Sequence, residues 1–218
     1  MQFLRIKSGI PGLDGKMEGG FEKGSAVTVS GGPGSGKTIF GIEFLKQGLE
    51  EGENCVYLTF EESETDIKND MMTMGIDAEK YIKSGRLRIV FLSPINFEYL
   101  DVLSSLKNRN INRLVVDSVS SLYLYFKNEF EFRKFILDFI RALKTIDITS
   151  IMIYELENGL LEANFMSLQY LCDSVISLSY TGMGGEYDRS LRIIKARRTD
   201  HYRELIPMKI DHTGLFLK

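Results

Sequence analysis

The chain has 218 residues, with 27 Lys+Arg against 30 Asp+Glu and a formal charge of −3. A balance this near neutral gives no overall electrostatic pull toward nucleic acid or an anionic membrane. With 44% hydrophobic and 26% charged residues, the composition is that of a soluble globular protein able to bury its own core, and the length reads as one domain spanning residues 1–218.

The two cysteines, Cys55 and Cys172, lie in apolar runs, as buried thiols of a reducing compartment do. No CxxC pair or His/Cys cluster supports a structural zinc site. The first residues, MQFLRIKSGI, lack the long apolar core of a signal peptide, and no apolar run is long enough to span a bilayer. These features point to the cytoplasm and to no membrane insertion.

In chain order, glycines crowd the N-terminal region from Gly9 to Gly36, which implies tight turns and something approaching the backbone closely. Ser25–Ser30 reads as a buried strand. Ile39–Glu50 places Phe40, Phe44, Leu45 and Leu49 at near-helical spacing. Cys55–Phe60 is a second buried strand. Ser63–Met74 reads as a helix with a Ser63/Asp66 capping signal and Gly75 as its stop. Leu87–Leu92 reads as a strand, Phe97–Lys107 as a helix and Arg113–Val119 as a strand. Phe130–Thr145 carries Phe132, Phe135, Ile136, Phe139 and Leu143 on one stripe, a helix. Thr149–Tyr154 is a strand and Phe165–Leu171 a short helix. The period then becomes strand-like through Val175–Tyr180, Leu191–Ala196 and Leu205–Ile210, joined by turns such as TGMGGEYD. Buried strands alternating with helices predict an α/β fold with a mostly parallel sheet, helices on both faces and antiparallel strands at one edge.

Gly31-Gly32-Pro33-Gly34-Ser35-Gly36-Lys37-Thr38, followed by Ile39, matches the phosphate-binding loop G-x-x-x-x-G-K-[ST] in the required strand–loop–helix setting. Its glycines let successive N–H groups turn inward around a phosphate, and the helix N-terminus adds partial positive charge. Lys37 would reach the β and γ phosphates of ATP, and the Thr38 hydroxyl would ligand Mg²⁺. Asp117 ends the run Leu114-Val115-Val116-Asp117, which delivers a carboxylate to the sheet edge where ligands of open α/β sheets sit, for a role beside the Mg²⁺. Glu61 and Glu62 end the strand Cys55–Phe60. A carboxylate at the tip of the strand next to the P-loop strand would suit a group that polarises an attacking water, and two like charges would raise one another's pKa. The competing reading is that both begin the next helix, where acids favour the dipole.

The pattern resembles the KaiC-like branch of the RecA-superfamily ATPases. The resemblance rests on Ser8-Gly-Ile-Pro-Gly-Leu-Asp14 with Gly19-Gly20 and Lys23-Gly24-Ser25, on GGPGSGKT, on Tyr57-Leu-Thr-Phe-Glu-Glu-Ser63, on the Met74-Gly-Ile-Asp77 turn and LVVDS, and on Lys195-Ala-Arg197-Arg198. It implies a RecA-like core that assembles into a ring, usually a hexamer, with ATP between copies. It implies Glu61 and Glu62 as catalytic carboxylates, and Lys195 and Arg197 as fingers reaching a neighbour's nucleotide. The alternative for Lys195, Arg197 and Arg198 is a solvated basic strand or a phosphate-backbone contact. Arg198 stands where many relatives have glycine, so a differently shaped loop is expected there. The length leaves no room for the tandem halves of the clock protein, so a circadian role does not carry over.

Recombinase relatives hold single-stranded DNA with loops that here are Ser120–Glu131 and about Glu155–Asn164. The second carries Glu155, Glu157 and Glu162 and no base, and the first has Lys127 as its only base among Tyr123, Tyr125, Phe126 and Phe130. Phosphate backbones need cations, so nucleic acid is the less favoured partner and the aromatics read as core or interface. His201 reads as an ordinary turn residue and the methionines as core filling.

Overall fold

The computed structural model describes residues 3–93, 103, 106, 110–156, 165, 168–180, 185 and 188–218. Residues Arg5–Ile6 (β1) and Phe21–Glu22 (β2) pair as a small antiparallel sheet, with a 3₁₀ turn at Asp14–Met17 between them. The remaining strands are Ala26–Gly31 (β3), Cys55–Thr59 (β4), Leu87–Phe91 (β5), Arg113–Asp117 (β6), Thr149–Glu155 (β7), Ser174–Tyr180 (β8), Arg189–Ala196 (β9), Ile206–Asp211 (β10) and Gly214–Leu217 (β11). Among the described residues they form one nine-stranded sheet in the order β11-β10-β9-β8-β3-β7-β6-β4-β5. β8, β3, β7, β6, β4 and β5 run parallel, and β9 to β11 extend the β8 edge antiparallel. This is the expected architecture.

The central strands are buried along their whole length because helices cover both faces. On one face Lys37–Glu50 (α1) packs Phe40, Phe44 and Leu45 against Val27, Tyr57, Val115 and Ile151. Glu64–Thr73 (α2) and Ala78–Lys83 (α3) adjoin the same core. On the other face Glu129–Thr145 (α5) lays Phe132, Phe135, Ile136, Phe139 and Leu143 on Val56, Leu58, Leu114 and Val116. The short helix Val119–Leu122 (α4) precedes it. The alternation of Tyr57 and Val56 between the two cores is the period-two pleat of β4.

Boundaries match the expected elements closely, with these differences. The strand at Arg113 ends at Asp117, and Ser118 caps α4. The β1–β2 hairpin, α3 and β11 have no counterpart in the periodicity. Most of the expected helix Phe97–Lys107 lies outside the described residues, although positions 103 and 106 are helical. Positions 165 and 168–171 are helical as expected, whereas most of the TGMGGEYD turn is outside the described set. Both cysteines are buried and free. Burial pushes the Cys55 thiol up to about 12 and the Cys172 thiol up to about 11. No helix among the described residues is long and apolar enough to cross a membrane.

Candidate nucleotide site

β3 hands the chain to α1 through residues 32–36 at the C-terminal edge of the parallel sheet. Pro33 and Gly34 form the exposed tip, Ser35 is buried, and Ile39 packs on the core beneath. Gly36 has a φ of 97°, a conformation side chains rarely adopt, so the turn into α1 calls for glycine. Gly36 gives α1 no side-chain cap, and no acid sits in its first turn. The first-turn N–H groups therefore remain available to an anion. Ser35 Oγ is buried without a hydrogen-bond partner in this loop. Lys37 is buried, donates from Nζ to Gly32 O at 3.0 Å, and pairs with Glu155 Oε1 at 3.5 Å. An uncapped helix start, an orphan hydroxyl and a lysine with only a carboxylate to balance it fit a bound polyphosphate.

β6 brings Asp117 to the same edge. Thr38 Oγ1 donates to Asp117 Oδ2 at 3.1 Å, and Tyr57 OH donates to the same oxygen at 2.5 Å. Burial raises the Asp117 pKa; the two hydroxyl donors oppose that, and the charges of Glu61 and Glu155 add to it. The peptide between Asp117 and Ser118 is cis. A hydroxyl and a carboxylate form the hard-oxygen donor pair that suits Mg²⁺.

Glu61 and Glu62 are exposed at the end of β4. The Thr59 hydroxyl receives the Glu62 N–H at 3.1 Å and donates to Glu62 O at 2.9 Å, which closes a tight turn. Glu61 Oε1 accepts from Ser118 Oγ at 3.0 Å, which ties it to the residue after Asp117. The Glu62 pKa is raised, first by partial desolvation and then by the charges of Asp117, Asp70, Asp66 and Glu61. Two sequence expectations change here. The pair does not begin α2, because that helix starts at Glu64 and is closed by a Ser63–Asp66 capping box. Nor does β4 neighbour the P-loop strand. β3 lies between β7 and β8, and β7 and β6 separate it from β4. The crossover through α1 skips two strand positions, and the carboxylates meet the P-loop side through Asp117.

Lys195 and Arg197 stand elsewhere. Lys195 pairs in register with Val175, and the Arg197 N–H bonds Asp173 O, at the N-terminal end of β8. Gly31 pairs with Leu178 at the other end. At about 3.3 Å per residue the Lys195 level lies roughly 10 Å, and the Arg197 level roughly 17 Å, along β8 from that of Gly31. Lys195 Nζ donates to the carbonyls of Gln169 at 2.8 Å and Cys172 at 2.6 Å. Burial, then the charge of Arg197, lowers its pKa. Arg197 donates to Tyr170 O at 2.9 Å and lies 3.6 Å from Asp173 Oδ1. Within one copy neither reaches the P-loop. Arg198 pairs with Glu22 at 2.8 Å and has a φ of 54°. That is the left-handed conformation glycine supplies, so arginine alone does not require a different backbone at this position.

Three further residues, which chain order does not place there, join the site. Tyr57 reads as core because it sits mid-strand. Glu155 reads as the start of an acidic loop. Arg189, in the turn-rich stretch before β9, donates to Gly34 O at 3.1 Å and lies over the Tyr180 ring. All three contacts cross between strands, and chain order alone does not specify which strands are neighbours. Of the two candidate DNA loops, residues 157–164 lie outside the described set. In the other, Tyr123 and Phe126 pack on Phe132, while Tyr125 and Phe130 are exposed.

The family profile for "ATPase: KaiC" matches residues 6–217. A UPF0273 protein of Pyrococcus furiosus is 31% identical over 98% of this chain and 93% of its own length. The circadian clock protein KaiC3 of Synechocystis is 31% identical over 98% of this chain but only 43% of its own length. Among solved structures, a KaiC-like protein of Pyrococcus horikoshii superposes over all of both chains with a TM-score of 0.88 and 34% identity. The P-loop edge, the parallel sheet and these matches together place the chain in the KaiC-like ATPase family of the RecA superfamily.

Proposed function

We propose that the chain is a Mg²⁺-dependent ATPase of slow turnover, a single ATPase domain over residues 1–218. It works in the cytoplasm as a ring-like homo-oligomer, a hexamer, with ATP between copies and with nucleotide state governing assembly or signalling. The observation that carries this reading is the convergence of Lys37, Thr38, Asp117 and Glu61 at the sheet edge where α1 presents its open N-terminus.

In this mechanism the N–H groups of Gly32 and of Gly34 through Thr38 hold the phosphates, Pro33 having none to offer, and Lys37 exchanges Glu155 for the β and γ oxygens. Thr38 and Asp117 would hold Mg²⁺, which when bound withdraws charge from the phosphate oxygens. Glu62, whose carboxyl pKa is raised by partial desolvation and the acids around it, accepts the proton of the attacking water while Glu61 orients that water. The oxygen of the water bonds to the γ phosphorus, and the bond to the β-phosphate oxygen breaks to leave ADP and phosphate. Lys195 and Arg197, too far from their own P-loop, stabilise charge on a neighbour's phosphoryl group.

Native mass measurement with and without ATP tests the assembly. A ring is expected with nucleotide, and a monomer at high concentration with ATP would refute it. Steady phosphate release that disappears in Lys37→Ala is expected; a scaffold holding nucleotide without turnover would release none. A module binding single-stranded DNA is the second reading, favoured by exposed Tyr125 and Phe130. Oligonucleotide binding confined to low salt would count against it.

A further inference from the structure

We infer that Tyr57 is a positioning residue of the magnesium site: its buried phenol holds Asp117 Oδ2 and so leaves Oδ1 to the metal's water shell. The inference rests on the ATPase reading above and goes one layer behind the residues that would face the ion.

Tyr57 is fully buried in the middle of β4, between Ile89 of β5 and Val115 of β6. A phenol hydroxyl at such a place is costly unless it finds an acceptor. The sheet register supplies one. Thr59 stands opposite Asp117, and Tyr57, two residues earlier, shares its face and is the diagonal neighbour of Asp117. The hydroxyl donates to Asp117 Oδ2 at 2.5 Å, and Thr38 Oγ1 donates to that same atom at 3.1 Å. Both hydroxyls donate to one carboxylate oxygen, which has two lone pairs with which to accept them. The carboxylate is thereby fixed in rotation, and its other oxygen is left over.

The two donors are not equivalent. Thr38 has a second duty, because its hydroxyl must offer a lone pair to the ion. Tyr57 has none: it is anchored in a core strand and keeps Oδ2 whether or not the site is filled. Groups one step behind a metal ligand act in this way, by holding orientation, and their loss typically weakens metal affinity about 10–100-fold. Phenylalanine keeps the ring and its packing and removes only the donor.

The test uses the full chain and a fluorescent ATP analogue, with binding followed as Mg²⁺ is titrated. Tyr57→Phe should bind the analogue in EDTA as tightly as the unaltered chain, yet need about ten-fold more Mg²⁺ to reach half of the metal-dependent gain. Saturating Mg²⁺ should then restore its turnover. An unchanged Mg²⁺ midpoint would overturn the inference, as would a loss of turnover that Mg²⁺ does not restore, which would mean a structural or chemical role. A Mg²⁺ midpoint already absent from the unaltered chain would overturn the ATPase reading itself, which separates the two failures. A thermal unfolding midpoint lowered by only a few degrees is expected, since the ring packing is kept and only the hydrogen bond to Asp117 is lost.

Discussion

Lys37 is balanced by Glu155 at 3.5 Å, a carboxylate placed where phosphate charge would arrive. Removing that competitor should help an anion. Glu155→Gln is expected to tighten ATP binding about two- to five-fold, the worth of a partly exposed pair, in a fluorescence titration. Weaker binding would mean that Glu155 orients the lysine and does not compete for it. Asp173 carries a different electrostatic load. Burial alone would raise its pKa, but Lys144 at 2.6 Å, the Ala26 N–H at 3.0 Å and the charge of Arg197 outweigh it and hold it below the ordinary value. A carboxyl depressed in the folded state contributes stability above its unfolded pKa, about 3.9, and loses it as pH falls through the folded value. The urea midpoint should therefore drop below about pH 4, and Asp173→Asn should flatten that drop while lowering stability at neutral pH.

At the scale of elements, Arg113 ties the start of β6 to its surroundings. Its guanidinium is fully buried, bonds Lys7 O at 2.8 Å, Phe44 O at 2.9 Å and Glu51 at 3.0 Å, and pairs with Glu53. It links the N-terminal segment, α1 and the sheet in one place. Arg113→Ala would remove the cation facing Glu53 and Glu51 and a donor to the Lys7 and Phe44 carbonyls, while Glu51 keeps Gln47. With both acids partly exposed, the cost in denaturant unfolding is expected to be about 2–3 kcal/mol. The P-loop, the buried strands and the striped α5 were legible in the sequence because each is a local pattern: glycine backbone, apolar run, helical period. α3 was not, since its six residues bury only Ala78 and show no stripe. β11 was too short to register. The antiparallel C-terminal edge was legible, but the order of the parallel strands was not, because a crossover helix can pass over two strands without any mark in the chain. For that reason Asp117 and Thr38 could be assigned to one site while Tyr57 and Glu155 could not.

At the scale of the whole molecule, the P-loop opens at one end of the parallel strands and Lys195 and Arg197 lie at the other. Those two cations also close the C-terminal end of the helical turn at 168–171 through its carbonyls. Lys195→Ala with Arg197→Ala is expected to slow phosphate release at least ten-fold while nucleotide affinity stays within a factor of about two, given the weight of a cation supplied in trans. Equal losses in both would assign the pair to folding alone.

The separation of the two ends has a further consequence for how copies can meet. A two-fold pairing presents identical surfaces to each other, whereas joining the basic end of one copy to the P-loop end of the next demands a head-to-tail contact that repeats around a circle or along a fibre. Every composite site then draws its halves from different chains, so two defective proteins can repair each other. Lys37→Ala copies still carry the basic half, and Lys195→Ala, Arg197→Ala copies still carry the P-loop half. Mixed before ATP is added, they should recover turnover that neither has alone.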